Sequence, residues 1–449
     1  PYTTAPRRVD GVRLNQVLGG AVQWLPDQKS LLVRSVVAGP RPIKGRVPKG
    51  PVVQQTQSGL VAQVRTYQDL LQNTHDEDLL EYYGSSQLAV VDAGSLAVTP
   101  LGKPAMYSRV SPSPDGTLLL TDVMQRPFSY VVPVSRFPRT TTIMNMAGVE
   151  QRELCRDRLQ DAIPIGGVKK GPRRVAWLAT AQHALYWAEA QDDGDPKNKV
   201  PHRDFVFMLA EPKGSPRLWF RTEYRAGGVQ FSGDGQVVLA SEVDRKTRTE
   251  RVWRHDMNKL GQSGELVYER SMQDVYGDPG RTVSERTRDG RSVLRAREGR
   301  LFLSGLGASP KGSRPFLDNW VVKTGEKQRV FESADGRHET FMGFVGPGTT
   351  EFLVRSESKT EPPSLVYINT ETGKRRVLHS FDDPAAKWTK LIKKRLVRYE
   401  REDGVPMNGT LYLPPSYKEG DKLPCLVWAY PREYVKASDA GQVRATPNR

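Results

Sequence analysis

Cleaving an acyl bond with side chains alone takes an activated serine, a histidine that moves its proton and an acid that orients the histidine. The sequence holds six histidines, His75, His183, His202, His255, His338 and His379, all before residue 380. The Gly-x-Ser-x-Gly elbow that presents a hydrolase serine on a sharp strand-to-helix turn is nowhere in the chain; "GQSGE" (261–265) has the wrong spacing. Yet near its end stands "KLPCLVWAY" (422–430), a near-continuous apolar run of the kind that forms a strand covered on both faces. It runs into a Tyr-Pro turn, the sort of edge where an oxyanion hole is built. Cys155 and Cys425 lack metal-ligating neighbours and cannot make a disulfide framework. "QDDGDPKN" (191–198) imitates a calcium loop, but Arg203 stands where the bidentate Glu belongs. No metal or cofactor is expected.

The elements that would position such a site are short strands. With 40 glycines and 33 prolines the chain is heavily punctuated. One hairpin pattern recurs, an apolar pair, a tight turn and a longer apolar run. It stands at "VQWLPDQKSLLV" (22–33), "VSPSPDGTLLLT" (110–121), "VAWLATAQHALYW" (175–187), "VQFSGDGQVVLA" (229–240), "SERTRDGRSVLR" (284–295) and "MGFVGPGTTEFLV" (342–354). Asp-Gly at 115–116, 234–235 and 289–290 supplies the positive φ of a tight turn. Between Asp115 and Pro347 the turns recur every 54 to 65 residues, one four-stranded blade per repeat. The fold class is therefore mainly β, a β-propeller of which about six blades are visible. Since the chain begins almost at the first hairpin, at least one further blade is expected upstream, seven in all. Trp24, Trp177, Trp187 and Phe231 fall at strand positions and are expected in the blade core.

"VRTYQDLLQNTHDEDLLEYYG" (64–84) reads as a helical insertion, with Thr74 and Glu77 as a capping box. Near residue 385 the texture changes. "KKRLVRYE" and "VPMNGTLYL" flank Asp403-Gly404 as a hairpin that feeds the 422–430 run, the way an α/β-hydrolase domain opens. Residues 1–385 thus form the propeller, and 386–449 the first part of a hydrolase domain.

The net charge of +16 arises from 67 basic residues interleaved with 51 acidic ones, which reads first as a solvated surface, next as a field for an acidic substrate and last as a nucleic-acid footprint. No window approaches 18 consecutive apolar residues, so no membrane-spanning helix is expected.

Several stretches resemble the prolyl oligopeptidase family of serine peptidases, specifically its glutamyl endopeptidases. They are "VRTYQDLL" (64–71), "RPFSYVVPVSRFP" (126–138), "LYWAEAQDDGD" (185–195), "DVYGDPG" (274–280), "SESKTEPPS" (356–364), "YEREDGVPMNGTLYLPPSY" (399–417) and "AGQVRATPN" (440–448). The resemblance implies a propeller that gates an α/β-hydrolase with a Ser-His-Asp triad, and cleavage after Glu. It places that triad beyond the residues present, so this chain alone is expected to be inactive. It also implies that Tyr430 donates to the tetrahedral oxyanion, although "YPRE" (430–433) departs from the family's Tyr-Pro-Gly-Glu. Arg126 and Arg136 become candidates for holding the substrate carboxylate; blade-to-blade salt bridges are the other reading of both. Peptides or unfolded proteins are the implied partners, and a homo-oligomer is left open. Chloroplast stroma is the implied compartment, with bacterial cytoplasm as the alternative. A non-catalytic propeller that binds peptides remains the competing function.

Overall fold

In the computed structural model, residues 5–43, 45, 67–287, 289–384, 386–389, 391–430 and 432–446 are described. Residues 64–66 of the expected insertion lie outside them.

The chain is mainly β, a succession of antiparallel propeller blades in meander order. The first seven strands make one continuous sheet, because Val98–Pro112 is fifteen residues long and serves two blades. Its first part pairs with Ser86–Asp92 and its last part with Leu118–Met124. Four-stranded sheets follow, from Arg173–Trp177 to Arg217–Thr222, from Arg225–Phe231 to Glu265–Ser271, from Arg281–Thr282 to Lys327–Glu332, and from Arg337–Phe344 to Arg375–Ser380. Six blades result, each with its innermost turn close to the expected register. One hairpin departs from expectation. Ser284–Arg286 and Ser292–Leu294 pair as a separate two-stranded ribbon, and the blade's own sheet uses Arg281–Thr282 against Arg300–Gly305. The strand is interrupted at Val283, whose N–H bonds Phe302 O while its carbonyl accepts from Arg295 N.

The turns show why the pattern repeats. Gly116, Gly235 and Gly290 have φ of +73°, +72° and +82°, and Gln28 takes +58° at the matching place after Asp27. Each preceding Asp ties the turn from inside: Asp115 Oδ1 accepts from Ser113 Oγ and Thr117 N, and Asp234 Oδ1 from Ser232 Oγ and Gln236 N.

Alternation of side chains across a strand builds the core between blades. Leu119 and Met144 join Leu25, Leu32, Leu88 and Leu101 on one face of the second blade. Their neighbours Leu120 and Ile143 join Val175, Leu185 and Trp187 on the other. A second such core unites Phe302, Leu317 and Phe331 with Phe352, Val354 and Val366.

By packing, the chain divides into two compact units, Pro1–Val238 with His255–Gly264 and Arg286–Val293, and Leu239–Arg254 with Glu265–Glu285 and Leu294–Arg449. The first holds the first three blades, the second the fifth and sixth blade sheets and everything after them.

The insertion is helical over Thr74–Gly84. Its N-cap is Asn73, one residue before the expected Thr74: the Asn73 side chain accepts from Asp76 N at 3.0 Å. Asp76 Oδ2 in turn accepts from Gln72 N, the residue before the cap, so Asn73 and Asp76 take the parts expected of Thr74 and Glu77, without the reciprocal bond to the cap's own N–H. Leu71 and Leu80 pack on Met106, Met124, Phe128 and Phe137. The Asp403-Gly404 hairpin forms as expected, Lys393–Glu400 pairing with Pro406–Leu413.

Candidate active site

The run 422–430 is no strand. Its residues have no regular structure, and Leu426, Val427, Trp428 and Tyr430 are 92, 79, 93 and 85% exposed. A doubly covered strand needs a partner on each edge and a layer on each face; apolar composition cannot supply them. Tyr430 is thus presented to solvent on a stretch without regular structure, and Pro431 lies outside the described residues.

A few residues on, the same segment is tightly held. Gln273 and its neighbours, in the turn after Glu265–Ser271, meet residues 433–444. Ser271 Oγ donates to Asp439 Oδ2 at 2.8 Å, and Asp439 is 4% exposed. Gln442 Nε2 donates to Asp274 Oδ1 at 2.8 Å, and Gln442 Oε1 accepts from Val275 N at 2.7 Å. Tyr276 Oη accepts from Val443 N, and Arg444 donates to Gln273 O at 2.6 Å. The backbone N–H of Gly277 and then the amide of Gln442 hold the Asp274 carboxyl below its ordinary pKa, against the opposing effect of burial. Two of the family-like stretches, "DVYGDPG" and "AGQVRATPN", are therefore partners in space. Their types gave no sign of it: the only signal was that both belonged to the resemblance.

Arg126 is committed to the helix. Its guanidinium bonds Glu77 at 2.5 Å, Asp78 at 3.0 Å and Glu81 at 2.9 Å, with Phe128 under its face. Tyr130 donates to Glu77 as well, and desolvation with that bond pushes its hydroxyl up to about 12. Arg136 makes a long bond to Gln160 O at 3.4 Å and lies over the Tyr67 ring. Both arginines belong to the first unit, and Tyr430 to the second.

The histidines scatter. His255 stacks on Phe220 at 4.0 Å, and burial lowers its pKa to about 4. His183 bridges two turns, 2.8 Å from both Asp115 and Glu211, and those bonds raise its pKa. In the calcium-like loop, Arg203 and Arg225 both bond the fully buried Asp192, at 2.8 and 2.6 Å. Cys155 is half-buried and Cys425 exposed.

The first unit contains a cavity of about 660 Å³ lined by Trp24, Trp177, Arg109, Arg286 and Arg291, among others. Trp187 and Phe231 are core, as expected, but Trp24 is 55% exposed and looks into this cavity.

A run of propeller blades joined to a docked C-terminal segment is the scaffold on which the comparisons bear. No family model matches the chain. It is 36% identical over 461 residues to a protein of Oryza sativa subsp. japonica named "Probable glutamyl endopeptidase, chloroplastic", covering 97% of this chain and 48% of that one. The Arabidopsis thaliana protein of the same name is 37% identical over 450 residues, covering 95% and 46%. Among solved structures, the acylaminoacyl peptidase of Pyrococcus horikoshii matches with a TM-score of 0.44 and 14% identity, over 90% of this chain and 52% of that one. The chain resembles the glutamyl endopeptidases of the prolyl oligopeptidase family, as its motifs imply, and is a relative of the two plant proteins. It spans about half the length of these curated relatives.

Proposed function

We propose that the full-length protein is a serine endopeptidase of the prolyl oligopeptidase type that cleaves peptides after Glu. The observation that carries this is the 36–37% identity, along 95–97% of this chain, to proteins named glutamyl endopeptidase. In this reading residues 1–385 form the gating propeller and 386–449 open the hydrolase domain. Tyr430 donates to the oxyanion once its loop is seated against the rest of that domain, and the triad is supplied outside these residues. The same relatives support a chloroplast location. Peptides and unfolded proteins are the substrates.

Of the two arginines, Arg136 is the better candidate for receiving a Glu carboxylate. Three carboxylates already neutralise Arg126, whereas Arg136 has a single weak bond to a neutral carbonyl and an aromatic ring beside it. The test is cleavage of matched peptides with one Glu or one Ala by the full-length protein, together with labelling by a fluorophosphonate. Cleavage after Glu and a labelled serine are expected; the absence of both would overturn the proposal. Arg136→Ala is expected to erode the preference for Glu over Ala, and unchanged selectivity would reject its role.

The second reading, a binding module, is favoured by the cavity that Trp24, Trp177 and Arg286 line, which offers an acidic peptide stacking faces and one cation; Arg109 and Arg291 are already paired with Asp122 and Asp289. Retention of Glu-rich peptides by the 449-residue chain, lost in Trp24→Ala, would support it.

A further inference from the structure

The grip on the C-terminal segment begins three residues after Tyr430. The side-chain amide of Gln273 makes two bonds to one stretch of backbone: Nε2 donates to Glu433 O at 2.6 Å, and Oε1 accepts from Val435 N at 2.9 Å. This is the way a neighbouring strand would hold an extended chain, with one donor and one acceptor spaced across a residue. An amide is the side chain suited to it, since it carries both functions in one plane.

Gln273 is itself fixed. Its N–H bonds Ser271 Oγ, whose own proton goes to buried Asp439, and its carbonyl receives Arg444. The gripping residue is thus braced by the segment it grips, at Asp439 and Arg444, on the far side of the contact. Between Tyr430 and Glu433 the backbone can span at most about 10 Å. The grip therefore limits where the Tyr430 hydroxyl can go, while leaving Tyr430 itself free of any described partner.

We propose that Gln273, on the turn that closes the fourth blade, is a positioning residue for the oxyanion donor: it clamps 433–435 and so restricts where Tyr430 can lie when its loop is seated. This rests on the reading of Tyr430 given above. It makes the propeller more than a gate, because a blade turn then fixes one member of the catalytic machinery. Donor placement matters because a preorganised hydrogen bond acts only if it already lies where the charge develops.

Two measurements test it. In the 449-residue chain, hydrogen exchange at Val435 N–H is expected to quicken about tenfold or more in Gln273→Ala, with blade amides such as those of residues 351–358 unchanged. Unchanged exchange at Val435 would overturn the clamp. In the full-length protein, Tyr430→Phe is expected to lower kcat about 100-fold. Gln273→Ala is expected to lower it about tenfold with KM within about twofold, a placement rather than a binding defect. In the Tyr430→Phe background Gln273→Ala should cost nothing further. Gln273→Glu, which keeps the acceptor for Val435 and loses the donor to Glu433, should fall between. An equal loss in both backgrounds would show that Gln273 acts by some other route and overturn the proposal. If Tyr430→Phe lowers kcat and Gln273→Ala does not, the clamp's role fails alone. If Tyr430→Phe leaves kcat intact, the oxyanion assignment fails and this proposal with it.

Discussion

The second blade and the 422–446 segment are made from similar residues and end up opposite in character. In the blade, Leu119 and Leu120 are 0 and 1% exposed because a sheet lies against each face. In the segment, Leu426 and Trp428 are more than 90% exposed, and beside the burial of Val443 its order comes from polar bonds to Ser271, Gln273, Asp274 and Tyr276. The difference teaches that an apolar pattern specifies a side-chain direction but not a partner. Where partners are present burial follows; where they are not, directional hydrogen bonds must hold the chain.

The comparison breaks most readily at the buried ion network that closes the third blade. Asp204 is fully buried and bonds Arg173, Arg225 and the Ala226 N–H. Asp204→Ala leaves two cations underpaired and is expected to cost about 3–5 kcal/mol, read from urea unfolding. Leu120→Ala opens a cavity between two sheets and should cost about 2–5 kcal/mol, against about 0.5 kcal/mol or less for Leu426→Ala. Similar losses for the two leucines would refute the contrast. Trp428→Ser should leave the melting temperature within a degree or so yet reduce dye binding and self-association, since the exposed run 423–428 offers an apolar patch. Gln442→Ala removes bonds to Asp274 and Val275 and should loosen 433–446 by about 1 kcal/mol, seen in local exchange without a shift of the global transition.

The smallest effect concerns pH. His183 gains two carboxylate partners on folding, so its folded pKa lies above the ordinary 6.5. Its contribution is complete below pH 6.5 and is lost as pH rises through the folded value. Asp115 is lowered from 3.8 to about 2, where its bonds from His183, Ser113 and Thr117 outweigh desolvation, so its share is lost only as pH falls toward 2. The bridge between the turns is therefore at full strength between about pH 4 and 6.5, where it stabilises by about 1 kcal/mol or less. A His183→Gln variant should lose stability relative to the parent at pH 5.5 and converge with it by pH 8.5; a constant gap would contradict this.

The blades were legible because each obeys local rules. Asp-Gly turns announce themselves, alternation sorts residues to faces, and the repeat spacing counts the sheets. The Asp403-Gly404 hairpin was legible for the same reason. The helix was found but its cap was misplaced by a residue, since Asn73 and Thr74 are both capable caps and only the backbone chooses. Candidate site residues were less accessible. Arg126 reads from the sequence either as a carboxylate-binding candidate or as a blade-to-blade salt-bridge partner, and its three carboxylate partners lie instead on a helix face 45 to 49 residues away. Gln273 drew no notice at all, because its partners are backbone atoms 160 and more residues distant.

What the sequence determined by itself is the repeat: short-range turn chemistry and two-residue periodicity act within a hairpin and need nothing from afar. What tertiary structure alone decided is which of these strands and loops acquire neighbours. That choice buried Leu120, left Trp428 in water and put a glutamine beside the backbone at 433–435. Such contacts depend on partners from about twenty to more than a hundred and sixty residues away, and their energy belongs to the pair, not to either stretch read singly.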